Sequence, residues 1–340
     1  MCPVIRACQK LNVDHFVLHT GQHYSYSMDR VFFEELELPD ADYNLEVGSG
    51  SHAEQTGKIM SGVERVLVEE VPSVVLVQGD TNTVLAGALA AAKLGIKVGH
   101  VEAGLRSYDR TMPEEINRVL ADHISDYLFV PTEIARRNLA SEGITKGVIR
   151  TGNTVVDAVR QNRRLAEKKS NVMRRLKVEK GGFVLATAHR QENVDHEERL
   201  RGMIEGMRLV GRHLGVPVIF PAHPRTQKRI EEFGVDTEPI RMLDPVGYLD
   251  FLQLEANAAL ALTDSGGVQE ETCILGVRCV TLRNNTERPE TVEVGSNLLA
   301  GTDSKKILAQ AKRMLASKKG WSNPFGDGKA GERIVRRVSR

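Results

Sequence analysis

Six short polar segments hold the residues of this chain that could do chemistry. Three offer carboxylates: Gly79-Asp80-Thr81, Glu102-Ala103-Gly104-Leu105-Arg106, and Pro113-Glu114-Glu115-Ile116-Asn117-Arg118. Carboxylates gathered in one site raise one another's pKa, which suits one base and one acid near neutral pH. Two offer histidines: Ala188-His189-Arg190-Gln191-Glu192-Asn193 and Ala222-His223-Pro224-Arg225. Arg190 and Glu192 stand beside His189 and could set its protonation. The sixth, Thr263-Asp264-Ser265-Gly266-Gly267, is a tight turn entering a helix that carries Glu270 and Glu271 in its first turn. Glycines there let a ligand approach the backbone, and the first N–H groups of the helix, lacking internal partners, face it.

Each segment also has a plainer use. Asp80 reads equally as a cap for the helix beginning near Thr83. Glu114 and Arg118 lie four apart on one helix face and read as a surface ion pair of about 0.2 to 0.5 kcal/mol. Pro113 followed by two acids is a helix-start signature. His223 reads as structural, and Ser265-Gly266-Gly267 alone is compatible with an ordinary strand-to-helix turn. Glu102 resists that treatment, because it sits one residue beyond an apolar strand and beside Gly104.

The elements that position these segments alternate. Strands are expected at His15 to Thr20, Ser73 to Gln78, Lys97 to Val101, Tyr127 to Val130 and Val148 to Arg150, with amphipathic helices between them. A long charged helix follows Thr151-Gly152-Asn153-Thr154. A second series then has strands at Phe183 to Thr187, Pro217 to Pro221, Ile240 to Leu243, Ala258 to Leu262 and Arg278 to Leu282. This is the sequence form of α/β architecture with parallel sheets. It predicts two Rossmann-like domains facing a cleft, residues 1–154 and 155–323. Ligands of such sheets bind beyond the carboxyl ends of the strands, where the six segments fall.

Composition narrows the class. The chain has 340 residues, and its 46 Lys and Arg are interspersed with 45 Asp and Glu for a net charge of +1, which argues against nucleic acid or anionic membrane as partner. Cys2, Cys8, Cys273 and Cys279 form no CxxC pattern, so neither a metal site nor a disulfide scaffold is expected, and a reducing cytoplasm fits. No apolar run approaches the roughly 18 residues a span needs, and the N-terminus has no apolar leader core, so neither a membrane span nor a signal peptide is expected. Gly48-Ser49-Gly50-Ser51-His52-Ala53 matches the loose dinucleotide fingerprint. Its preceding strand is weakly apolar, and Glu69 and Glu70 lie inside the following helix, so no nicotinamide cofactor is expected.

The same segments carry a resemblance. The blocks TGQHYS, QGDTNT, HVEAGLRS, PEEINR, TGNTVVDA, AHRQEN, PAHPRT, TDSGGVQEE and TERPE occur in order over essentially the whole chain. In this it resembles the non-hydrolysing UDP-N-acetylglucosamine 2-epimerases. The resemblance implies a glycosyltransferase-B-like architecture in which residues 324–340 pack back on the first domain. It implies interconversion of UDP-N-acetylglucosamine and UDP-N-acetylmannosamine without metal or nicotinamide, by loss of the C2 proton and UDP to a glycal and re-addition. On matching positions, Asp80, Glu102 and Glu114 become the acid/base candidates, with the C2 base left open among them. Arg118 would orient Glu114 or the phosphates, and His189 would hold the β-phosphate. Ser265, Gly266 and Gly267 would bind phosphate, and Glu271 the ribose hydroxyls. Gln22 and His23 match a segment that forms an allosteric site in some relatives, although Ser25 departs from that pattern. A homodimer is implied. A glycosyltransferase of the same architecture, or a UDP-binding relative without activity, would use the same residues, and a diacetamido-uronic acid sugar is compatible with them.

One departure concerns the first domain. Family members begin with a strand and a GTRPE-like loop whose Arg and Lys are functional, whereas here Pro3, Val4, Ile5, Cys8 and Leu11 already mark a helix. The first domain is therefore expected to lack its first strand, leaving the strands at His15 and Ser73 without their common neighbour, and the chain as written to be unstable or nearly inactive.

Overall fold

The computed structural model describes residues 1–21, 33–318 and 320–339. They form two compact units, one of residues 1–158 with 325–340 and one of residues 159–324. Among the described residues no helix is long and apolar enough to cross a membrane.

In the first unit β3 (Val74–Gln78), β4 (Lys97–Val101), β5 (Tyr127–Val130) and β6 (Val148–Arg150) form a parallel sheet in that order. Successive side chains of a strand face opposite sides, so each strand serves two cores. Val75, Val77 and Val98 pack with the helices His52–Glu70 and Asn82–Lys93. Leu76, Val101 and Phe129 pack with Val4, Ala7 and Cys8 of the helix Cys2–Leu11 and with Ile334 and Val335 of the helix Ala330–Val338. The last helix is fastened by Asp157, which accepts from the backbone N–H of Ala330 and Gly331 at 3.2 and 3.1 Å.

Two shorter strands, β1 (Leu18–His19) and β2 (Tyr43–Asn44), pair with each other and with no other described strand. The stretch from His15 to Thr20 therefore forms only two residues of strand instead of six. Only residues opposed by a partner ladder count as strand, and β2 spans two positions.

The second unit holds a six-stranded parallel sheet. Its strands are β7 (Val184–Thr187), β8 (Val218–Pro221), β9 (Arg241–Leu243), β10 (Leu260–Thr263), β11 (Cys279–Thr281) and β12 (Asn297–Leu299), in the spatial order β12-β11-β10-β7-β8-β9. Both faces are covered, which explains the nearly unbroken apolar runs. Val184, Phe220, Leu262 and Val280 pack against Leu200, Met203, Ile204 and Met207 of the helix Glu197–Leu214. These helical positions recur at three- and four-residue spacing, and burying each such side chain contributes about 1.5 to 3 kcal/mol. The alternate residues Leu185 and Ile219 face Leu254 and Val277.

Strand order reverses between β7 and β10, which lie side by side with Thr187 opposite Thr263. A parallel sheet opens a crevice at that point, because the connections on either side run away from it.

Candidate active site

At this reversal the turn after β10 and the loop after β7 are joined by one buried carboxylate. Asp264 is fully buried and accepts from the backbone N–H of His189 at 3.1 Å and of Arg190 at 3.0 Å, and from Asn193 Nδ2 at 3.2 Å. His189 keeps its ring partly exposed at 44%, with Nδ1 3.6 Å from Asp264. The backbone of His189 is therefore fixed while its ring stays available. Asp264 is the positioning residue that sequence reasoning passed over. Its partners lie more than 70 positions away, so only the pairing of β7 with β10 reveals its role.

The helix Gly266–Leu275 starts at Ser265, whose side chain makes no capping hydrogen bond, and its first N–H groups are left to face outward. The contrast with Gly48-Ser49-Gly50-Ser51 is informative. There Ser51 and Glu54 form a reciprocal capping box that satisfies the start of the helix His52–Glu70, so those glycines precede a closed helix end. Gly266 has a steric requirement of its own, since a Cβ on it would stand 2.4 Å from Glu287 Oε1. Glu287 is buried, and Arg190 and Arg283 donate to it at 3.1 and 2.8 Å. Burial pushes its carboxyl up, but Arg288, Arg283 and Arg190 outweigh that and hold it down at about 2. Beside it, Arg288 pairs with Glu270 at 2.8 Å. The turn is thus backed by a rigid ionic lattice. Glu271, one position beyond Glu270, accepts from the Tyr248 hydroxyl at 2.9 Å. His223 caps the helix Pro224–Glu232, its Nδ1 accepting from the Arg225 N–H at 3.2 Å.

In the first unit the carboxylates stand at the ends of adjacent strands. Asp80 follows β3 and Glu102 follows β4, and Gln78 and Val101 are register partners. Glu102 has a left-handed backbone, φ 71°, a conformation that costs an ordinary side chain about 1 to 2 kcal/mol. Gln78 Nε2 donates to Glu102 Oε1 at 2.6 Å and to Thr154 Oγ1 at 3.1 Å.

The helix Pro113–Ile124 reaches Asp80 through two residues. Asn117 Nδ2 donates to the Asp80 carbonyl at 2.9 Å, and Arg118 donates to the Asp80 carboxylate. The ion pair expected between Glu114 and Arg118 is replaced. Arg118 is buried and its second partner is Glu115, at 2.5 Å. Glu115 is itself buried, and it accepts from Ser107 N and Tyr108 N at 3.0 and 2.9 Å. Three- and four-residue spacings both place side chains on one helix face, and here the inward direction of position 115 decides. Glu114 remains half-buried with its carboxylate uncommitted to Arg118.

Beneath these loops lies a charged cluster. His100 Nδ1 donates to Asp122 at 2.7 Å and Nε2 to the Gly79 carbonyl at 2.8 Å. Both partners only accept, so the ring carries two protons. Burial pulls its pKa down, but the Asp122 hydrogen bond and charge outweigh that and leave it raised. Asp122 also accepts from Gly104 N at 3.1 Å and Arg106 at 2.7 Å. Asp122 thereby ties the loop after β3, through His100, to the loop after β4. Gln22 and His23 lie outside the described residues. Among the described residues no cluster of three His, Cys, Asp or Glu side chains converges as a metal site would.

Comparison with known proteins covers both units. Residues 6–339 match the family model described as UDP-N-acetylglucosamine 2-epimerase. The chain is similar to the UDP-N-acetylglucosamine 2-epimerase of Methanocaldococcus jannaschii, with 56% identity over 344 residues, 99% of this chain and 94% of the relative. It is similar to the UDP-2,3-diacetamido-2,3-dideoxy-D-glucuronate 2-epimerase of Pseudomonas aeruginosa, with 39% identity over 98% of this chain and 93% of the relative. Among solved structures it is similar to the Methanocaldococcus jannaschii UDP-GlcNAc 2-epimerase in complex with UDP-GlcNAc and UDP. The TM-score is 0.93 at 56% identity, covering 99% of this chain and 95% of the other.

Proposed function

The chain belongs to the UDP-N-acetylglucosamine 2-epimerase family, and we propose that it interconverts UDP-N-acetylglucosamine and UDP-N-acetylmannosamine through elimination of UDP to a glycal and re-addition. The observation that carries this reading is a division of labour. One unit presents an uncapped helix start beside an exposed histidine, and the other presents carboxylates at neighbouring strand ends.

The uncapped N–H groups of Gly266 and Gly267, with Ser265, hold phosphate oxygens, and His189 receives the charge that builds on the departing β-phosphate. Glu271 accepts hydrogen bonds from the ribose hydroxyls. Asp80, Glu102 and Glu114 supply the proton acceptor and donor for C2. Arg118 does not touch the phosphates in this reading; its guanidinium is spent on Asp80 and Glu115 and holds the Asp80 carboxylate in place.

The reading extends to a homodimer working in the cytoplasm. Ile116 and Leu120, each 45% exposed on successive turns of the helix Pro113–Ile124, offer an apolar face for a second copy. Sedimentation at two protein concentrations tests it.

The principal experiment is incubation with UDP-N-acetylglucosamine in D₂O, with NMR at C2. Deuterium at C2 together with the manno isomer is the expected result. UDP release only when an acceptor sugar is present would instead establish a glycosyltransferase, and UDP binding without exchange would establish a binder or a different sugar.

A further inference from the structure

The helix Tyr248–Asn257 turns Leu249, Leu252, Leu254 and Glu255 into the interior of the second unit. Glu255 is 0% exposed, and neither of its oxygens receives a hydrogen bond from any donor. A carboxylate so placed ordinarily has a cation beside it. Here its polar neighbour is a second acid: Tyr248, two turns earlier on the same helix, donates to Glu271, and Glu271 lies within reach of Glu255. Two ionised carboxylates only accept, so this contact requires a proton between them. The other titratable groups facing the pair are Tyr248, on the same helix, and the Cys279 thiol of β11. Among the described residues no cation faces the pair. Burial, followed by the charge of Glu271, raises Glu255 far above its usual range. Burial also raises Glu271, to about 7, against the hydrogen bonds of Tyr248 and Glu255 that lower it.

We propose that Glu255 is a positioning residue of the nucleotide site, holding a shared proton against Glu271 and so fixing the carboxylate that accepts from the ribose. The proposal rests on the assignment of Glu271 given above. Glu271 then accepts from two sides, Tyr248 and Glu255, and Asn162 in turn donates to Tyr248. Its remaining lone pairs are left for the ligand by partners that both sit on the helix Tyr248–Asn257. When the shared proton is lost, two like charges meet in a dry interior and Glu271 is driven from its place. Nucleotide affinity is therefore linked to one proton.

The test is calorimetric titration of UDP into the full chain from about pH 6 to about pH 9, for wild type, Glu255→Gln and Glu255→Leu, with folding of each variant checked by its thermal transition. Wild-type Kd should rise by up to about tenfold per pH unit once the pair loses its proton, the slope for one linked proton. Glu255→Gln donates through its amide without titrating, so the ratio of its Kd to that of wild type should fall as pH rises. The ratio also removes the titration of UDP itself. Glu255→Leu, which packs but cannot donate, should bind UDP more weakly than Glu255→Gln at the low end of the range. Superimposable pH profiles for wild type and Glu255→Gln would overturn the proposal. A Glu271→Gln variant separates the two ideas: unchanged UDP affinity in it would remove the ribose assignment, whereas the pH ratio judges Glu255.

Discussion

Asp122 and Glu255 are both buried acids, and the two units accommodate them in opposite ways. Asp122, 1% exposed, sits among His100, Arg106 and the Gly104 N–H, and these partners overcome the effect of burial and leave its carboxyl below the usual range. Glu255 faces no cation among the described residues and keeps its proton instead. Opposite charges fasten a set of loops in one unit, and a shared proton joins two helices in the other. The difference teaches that a buried carboxylate is a rivet in one setting and a titratable hinge pin in the next, and its residue type does not say which.

The largest expected effect comes from removing each acid. Asp122→Ala strands His100 as a buried, uncompensated charge and leaves Arg106 with its Glu142 ion pair, and should cost about 3 to 5 kcal/mol in urea unfolding. Glu255→Leu replaces a buried acid with a hydrocarbon and should leave stability unchanged or raised, by up to about 4 kcal/mol. Equal losses from the two substitutions would erase the distinction.

The pH dependence of stability sharpens the comparison. Asp122 is lowered, so its stabilisation is present above the ordinary carboxylate pKa and is lost as pH falls through its folded value. His100 is raised, so its contribution is complete below 6.5 and is lost as pH rises through its folded value. Glu271 is raised from 4.5 to about 7, so the folded state binds the extra proton and stability declines with rising pH across that interval. The decline for one proton is at most about 1.4 kcal/mol per pH unit. Burial sets this slope, so it persists in Glu255→Gln; subtracting that variant's profile from that of wild type should leave the decline due to Glu255 itself, and a flat difference would place the shared proton elsewhere.

The smallest effect separates two adjacent acids within the first unit. Glu115→Gln removes the charge opposite buried Arg118 and should cost about 1 kcal/mol, while Glu114→Gln should stay within about 0.5 kcal/mol and lose turnover instead. Turnover measured with urea unfolding on both variants decides between them.

Much of this was legible beforehand. Lys97–Val101, Tyr127–Val130 and Val148–Arg150 form strands where the apolar runs put them. Asn297–Leu299 was not read as a strand, because three residues beginning with a polar side chain carry no periodicity, and only pairing with β11 makes them one. The polar segments were visible as loops after strands, since parallel sheets place them there. Their internal wiring was not. Choosing Glu115 over Glu114 as partner of Arg118 depends on side-chain direction, and Asp264 acts through partners distant in sequence. Glu255 stands in a leucine-rich helix, and nothing local reveals that Glu271 lies against it.

The left-handed backbone at Glu102 has an evolutionary consequence. Glycine or asparagine would suit φ 71° better than glutamate does, and neither can move a proton as a carboxylate does. Backbone preference and chemistry therefore pull this position in opposite directions. Were the activity ever relieved of selection, drift at residue 102 would run downhill in folding energy. If Glu102 carries the proposed acid/base role, a descendant with glycine there would be more stable than its parent and catalytically silent, and its gain in stability would record what the ancestor had given up for the reaction.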